Sequence, residues 1–99
     1  MFRDRNMFKQ PTTHQEKKAV KFACRLLTDF GFNRVISVPS RELAKFLTSK
    51  GYPVSYLTVI TYWKLLEQMG YVTREMECRQ WGVTYRLKRY AFKKILNEL

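Results

Sequence analysis

SYLTVITYWKLLEQMGYV, running from Ser55 to Val72, is the stretch that decides the fold. Pro53 and Ser55 stand where a helix start belongs, because a serine N-cap accepts a hydrogen bond from a first-turn amide. Val59, Trp63 and Leu66 then recur at three- and four-residue steps, the buried stripe of a helix over 55–69. Gly70 falls where a helix ends on a left-handed residue, a conformation open to glycine at no steric cost. Directly after it the period changes to two, with Val72, Arg74 and Met76 alternating with Thr73, Glu75 and Glu77. A helix here runs straight into a strand.

Downstream, Val83, Tyr85 and Leu87 alternate with Thr84, Arg86 and Lys88, and CRQWG (Cys78 to Gly82) joins the two runs as the turn of a β-hairpin. Upstream, SRELAKFLTSK (Ser40 to Lys50) lies between Pro39 and Gly51. It reads as a helix over 40–50 that buries Leu43, Ala44 and Leu47, with Ser40 as its N-cap. Val35-Ile36-Ser37-Val38 is a short β-branched run, one strand to complete a three-stranded sheet at the hairpin's base. Further out, Thr13-His14-Gln15-Glu16 is a capping box opening an amphipathic helix over 14–30. Ala19, Phe22, Ala23, Leu26, Leu27 and Phe30 share one face of it; Lys17, Lys18, Lys21 and Arg25 share the other. From Tyr90 onward, Phe92, Ile95, Leu96 and Leu99 sit at helical spacing, a final short helix. The expected architecture is α+β and mainly α: an N-terminal arm over 1–13, then one domain over 14–99 ordered helix, strand, helix, helix, hairpin, helix.

Composition narrows the function. Ninety-nine residues suit one modest core, and 45% hydrophobic against 27% charged residues suits a globular protein. Lys and Arg number 19 against 8 Asp and Glu, a net +11, and so large an excess points to a polyanionic partner. No apolar run approaches a membrane span, and MFRDRNMFKQ has no signal-peptide core, so the expected location is cytoplasmic. Cys24, Cys78 and His14 lack metal-ligand spacing, so neither a metal nor a cofactor is expected. The two cysteines could pair only if the fold brings them together. Eight scattered carboxylates with no nucleophile–base pair argue against an enzyme.

From Val35 to Lys88 the sequence resembles winged-helix DNA-binding domains of the MarR and ArsR type. The residues carrying this are SRELAKFL (Ser40 to Leu47) and SYLTVITYWKLLEQMGYV (Ser55 to Val72). The family's second motif helix reads like S-x-x-T-V-x-x-x-L-x-x-L-E-x-x-G-L-V, and Ser55, Thr58, Val59, Leu66, Glu67, Gly70 and Val72 keep that register without a gap. A short chain with no effector domain also resembles small regulators of archaea and their viruses. The resemblance implies a winged helix-turn-helix over 40–69, a wing over 71–88, and a homodimeric transcriptional regulator, nucleoid-associated or in a host cytoplasm if viral. It places the second motif helix in the major groove and the wing at the minor groove.

On that reading Ser40, Arg41, Ser55, Tyr56, Leu57, Thr58, Thr61, Lys64, Arg74, Arg79, Gln80, Trp81 and Arg86 face DNA. Arg79 stands at the wing tip, where a narrow minor groove attracts guanidinium. Trp81, beside Gly82, either stacks on the hairpin base or touches DNA. The motif helix departs from the family, because Leu57, Ile60 and Leu65 point outward and Lys64 and Glu67 are its only charges. That departure keeps a second reading open, a protein-interaction module docking through the apolar outer face of helix 55–69. A third, RNA or single-strand binding on the abundant aromatic rings, has no supporting motif. Val20 and Cys24 on the first helix, with Phe92, Ile95, Leu96 and Leu99, are the expected dimer interface.

Overall fold

The computed structural model describes residues 10–32, 35–78 and 82–88. The first helix, α1 (His14–Thr28), starts at the expected capping box: the Thr13 hydroxyl accepts from the Glu16 amide at 3.1 Å, and Glu16 Oε1 accepts from the Thr13 amide at 3.1 Å. The same carboxylate oxygen accepts from the Thr12 amide at 3.0 Å, so one buried acid holds two residues of incoming chain, Thr12 and Thr13, against the helix. α1 ends at Thr28, two residues short of the expected 14–30. The Phe32 amide returns to the Leu26 carbonyl at 2.9 Å, which lifts Phe30 off the helix. Its ring packs on Phe46 and Tyr52, with centroids 6.1 Å from each.

Next come β1 (Val35–Ile36), α2 (Ser40–Ser49) and α3 (Tyr56–Gln68). The strand expected over 35–38 keeps only its first two residues, since only Val35 and Ile36 pair with the sheet. Both helices finish on a glycine as the spacing predicts. Gly51 has φ 91°, with its amide on the Thr48 carbonyl at 3.2 Å and the Tyr52 amide on Leu47 at 2.9 Å. Gly70 has φ 85°, with its amide on Glu67 at 3.0 Å and the Tyr71 amide on Leu66 at 2.9 Å. These paired bonds are Schellman caps, and they need the left-handed residue that glycine supplies. Through them Tyr52 and Tyr71 turn back onto the protein.

The sheet is antiparallel in the order β1-β3-β2, where β2 is Val72–Cys78 and β3 is Gly82–Leu87. β3 is central, pairing Ile36↔Tyr85 on one side and Val72↔Leu87 on the other. The hairpin is not the uniform alternation read from the sequence: Arg74 faces Tyr85 but Met76 faces Thr84, so Glu75 is the extra residue of a bulge.

The core lies where α1, α3 and the sheet meet. Trp63 from α3 stacks on Tyr85 of β3, with centroids 4.5 Å apart and planes 9° apart. Phe22 from α1 meets Trp63 edge-on at 5.7 Å and Tyr62 at 5.0 Å. Leu26, Leu43, Leu47, Leu66, Ile36 and Leu87 close around them, all buried. Aromatic pairs of this kind add about 0.5–1.5 kcal/mol each beyond their buried area. Leu65, expected to point outward, packs against this core instead.

Val20 and Cys24, expected at a dimer interface, are only 5% and 3% exposed within the single chain. The apolar stripe of α1 is wide because one domain already covers it, so neither residue leaves a surface for a second copy. The closing segment with Phe92, Ile95, Leu96 and Leu99, and the arm over 1–9, lie outside the described residues.

Candidate nucleic-acid interface

α3 turns its Val59, Tyr62, Trp63 and Leu66 stripe into the core, which directs Tyr56, Leu57, Thr61 and Lys64 outward. Leu57 is 71% exposed and Tyr56 37%, and Ile60 is half-buried beside them. Leu57 is the most exposed large hydrophobic residue among the described residues, with the half-open Tyr56 next to it.

The serine and threonine hydroxyls of this face bond within the protein. The Ser55 hydroxyl caps α3 by accepting from the Thr58 amide at 3.1 Å, and it also donates to the Thr58 hydroxyl at 2.9 Å. The Thr61 hydroxyl donates back to the Leu57 carbonyl at 2.9 Å. Arg41, from α2, lays its guanidinium over the Tyr56 ring, 4.6 Å from the centroid. Of the expected residues, Tyr56, Leu57, Thr61 and Lys64 thus run along the outer side of α3, with Ser55 and Thr58 at its start and Arg41 against Tyr56. The hydroxyls of Ser55, Thr58 and Thr61 are bonded within α3, while the Arg41 and Lys64 cations form no ion pair among the described residues.

Ser40 is not the N-cap that the sequence suggests. Pro39 occupies the cap position, and no side chain closes the first turn of α2. The first backbone bond of the helix is Leu43 to Pro39 at 2.9 Å, so the amides ahead of it have no partner within the helix.

Between α2 and α3 runs an open groove of about 480 Å³, lined by Arg41, Ala44, Lys45, Thr48, Ser49, Val54 and Tyr56. Lys45, Thr48 and Val54 were missing from the sequence-derived site. Their signal was present, since Arg41, Ala44, Lys45 and Thr48 recur at i, i+3, i+4 and i+7 on one helical face.

Charge on the hairpin is less free than its composition suggests. Arg86 Nε lies 3.0 Å from Glu75 Oε1, and Arg74 Nε lies 3.8 Å from Glu67 Oε2. Of the arginines expected to meet DNA, Arg74 and Arg86 thus carry a carboxylate partner. The bulge sets up the first pair, and the β2 strand leaving Gly70 past the end of α3 sets up the second. On α1, Arg25 is likewise paired, with Asp29 at 2.9 Å, while its guanidinium sits 4.4 Å from the Tyr52 ring centroid. Lys17, Lys18, Lys21, Arg41, Lys50, Lys64 and Lys88 form no ion pair among the described residues. Arg79, Gln80 and Trp81 of the hairpin turn lie outside the described residues.

Among the described residues no helix is long and apolar enough to cross a membrane, and no three His, Cys, Asp or Glu side chains gather as metal ligands. The Cys24 thiol is buried, which pushes its pKa up to about 11 and keeps it protonated and unreactive at neutral pH. The fold is thus a small, mainly helical α+β domain of three helices and a three-stranded antiparallel sheet among the described residues. No family model, no curated protein and no solved structure matches the chain.

Proposed function

We propose that this chain is a winged helix-turn-helix protein that binds duplex DNA, with α3 in the major groove and the β2–β3 hairpin at the adjacent minor groove. The observation that carries the reading is the uncovered outer face of α3, Tyr56, Leu57, Thr61 and Lys64, projecting from a helix pair that leads directly into a hairpin. An α-helix fits the major groove by size alone, and a hairpin one strand-length away reaches the neighbouring groove. The uncapped start of α2, with Ser40 and Arg41, supplies amides and a guanidinium for the phosphate backbone. Unpaired lysines on α1 and Lys64 add to a chain whose net charge is +11. Such a protein acts as a transcriptional regulator in the cytoplasm or on the nucleoid, without catalysis or cofactor, and as a two-fold dimer it would present two α3 helices about one DNA turn apart.

A protein-docking function is the second reading, favoured by the exposed Leu57 at the centre of the same face. Titration against duplex DNA, single-stranded DNA and RNA over a salt series separates the two. Phosphate contacts require duplex affinity to fall steeply between about 50 and 200 mM salt. A chain that binds no duplex at low salt refutes the DNA reading and leaves the docking one.

A further inference from the structure

The outer face of α3 is unusual in what it offers a base edge. Specific readout ordinarily uses bidentate side chains, arginine on guanine or an amide on adenine. On this helix the Ser55 and Thr58 hydroxyls bond each other, the Thr61 hydroxyl is turned back to the Leu57 carbonyl, and the neighbouring Arg41 lies on the Tyr56 ring. What remains outward in the middle of the face is aliphatic. Leu57 presents its isobutyl group, and Thr61, its hydroxyl proton committed to the Leu57 carbonyl, offers its γ-methyl one turn further on. Lys64 stands three residues beyond Thr61 and is unpaired among the described residues, a position from which it reaches phosphate.

We infer that α3 recognises the 5-methyl groups of thymine in the major groove, with Leu57 and Thr61 as the specificity-determining residues. This rests on the duplex-DNA reading above and adds the chemistry of the sequence it prefers. The occupant follows from charge as well as shape. An apolar strip flanked by unpaired cations on a chain of net charge +11 fits a polyanion that carries methyl groups on its surface. In B-form DNA, thymine is the base that displays one. The preference is a packing preference, so it acts on affinity without adding a charge contact.

The test uses the full chain and alternating duplexes that differ only by that methyl: dA-dT against dA-dU, and dG-dC against dG-d5-methyl-C, followed by fluorescence anisotropy at fixed salt. Burial of one methyl is worth about fourfold in affinity, so dA-dT binds about fourfold tighter than dA-dU if one thymine is contacted and about fifteenfold if two are. The methylated dG-dC duplex gains by a similar factor, which separates the methyl from any change in groove shape. Salt slopes within each pair stay equal, because phosphate contacts are unchanged. Leu57→Ala and Thr61→Ser, the latter keeping the back-bonded hydroxyl, each reduce the dT/dU ratio towards one. Intact, salt-dependent duplex binding with equal affinity for dT and dU duplexes overturns the thymine inference alone. Absence of binding to every duplex overturns it together with the DNA reading.

Discussion

Replacing Glu75 by glutamine separates the hairpin's charge from its shape. Glu75 is the bulged residue of β2, and its Oε1 takes the Arg86 guanidinium at 3.0 Å while its second oxygen takes the Thr73 hydroxyl at 3.4 Å. Both side chains of the ion pair are more than a third exposed, at 47% and 38%, so the pair itself is worth only about 0.2–1 kcal/mol of stability after solvent screening. Glu75→Gln is isosteric and keeps an amide oxygen facing Arg86, so the loss of fold stability is at the low end of that range. DNA affinity moves the other way. With the hairpin docked so that Glu75 lies about 7 Å from a phosphate, removing its negative charge relieves about 0.6 kcal/mol of repulsion at the dielectric of water. Releasing Arg86 from its partner adds about 0.5 kcal/mol. Together these give about sixfold tighter binding and a salt slope steeper by about one unit. The assay is anisotropy against a fixed duplex at several salt concentrations, with urea unfolding in parallel, for Glu75→Gln, Arg86→Ala and the double variant. Relative to Arg86→Ala, the double variant must gain only about threefold, because Arg86 carries the rest. An unchanged or weaker affinity for Glu75→Gln at low salt, or the same gain without Arg86, refutes the placement of this hairpin against DNA.

Three further outcomes test the fold and assembly. Gly51→Ala puts a Cβ where nothing lies within 4 Å, so its effect isolates the left-handed backbone at φ 91°; we expect a loss of about 1 kcal/mol and a drop of roughly 4–8 °C in Tm, against little change if the residue relaxes freely. Cys24 is protonated in the folded chain up to about pH 11 but ionises from its ordinary value of 9.0 once unfolded. Its contribution is therefore complete below pH 9 and lost as pH rises towards 11; between pH 8.5 and 10.5 the wild type should lose about 1.5 kcal/mol more than Cys24→Ala in urea unfolding, and parallel losses would place the thiol in contact with water. With Val20 and Cys24 covered by their own domain, the dimer expectation rests on the spacing of Phe92, Ile95, Leu96 and Leu99. Sedimentation equilibrium should show a dimer at tens of micromolar for the wild type and a monomer for Ile95→Glu with Leu99→Glu; a monomeric wild type removes the proposed assembly.

Most of what was legible in the chain had a short range, though Ser40, read as the cap of α2, yields that place to Pro39. Caps and stops depend on residues three to six apart, so Thr13 and Glu16, Ser55 and Thr58, Gly51 and Gly70 could be read directly and stand as bonds in the structure. The change of period after Gly70 marked the passage from α3 to β2, and the heptad-like stripe of Val59, Trp63 and Leu66 marked the buried side of α3. That stripe in turn decides which residues α3 turns outward, so the sequence by itself determined most of the candidate interface. It could not say how free those residues are. Arg74 meeting Glu67 and Arg86 meeting Glu75 depend on a one-residue bulge and on the angle at which β2 leaves α3. Arg41 reaching the Tyr56 ring, Leu65 turning inward, and Val20 and Cys24 being covered depend on how helices far apart in sequence cross. Periodicity reports the side of an element that is apolar; only packing decides which neighbour covers it and which charge is already answered.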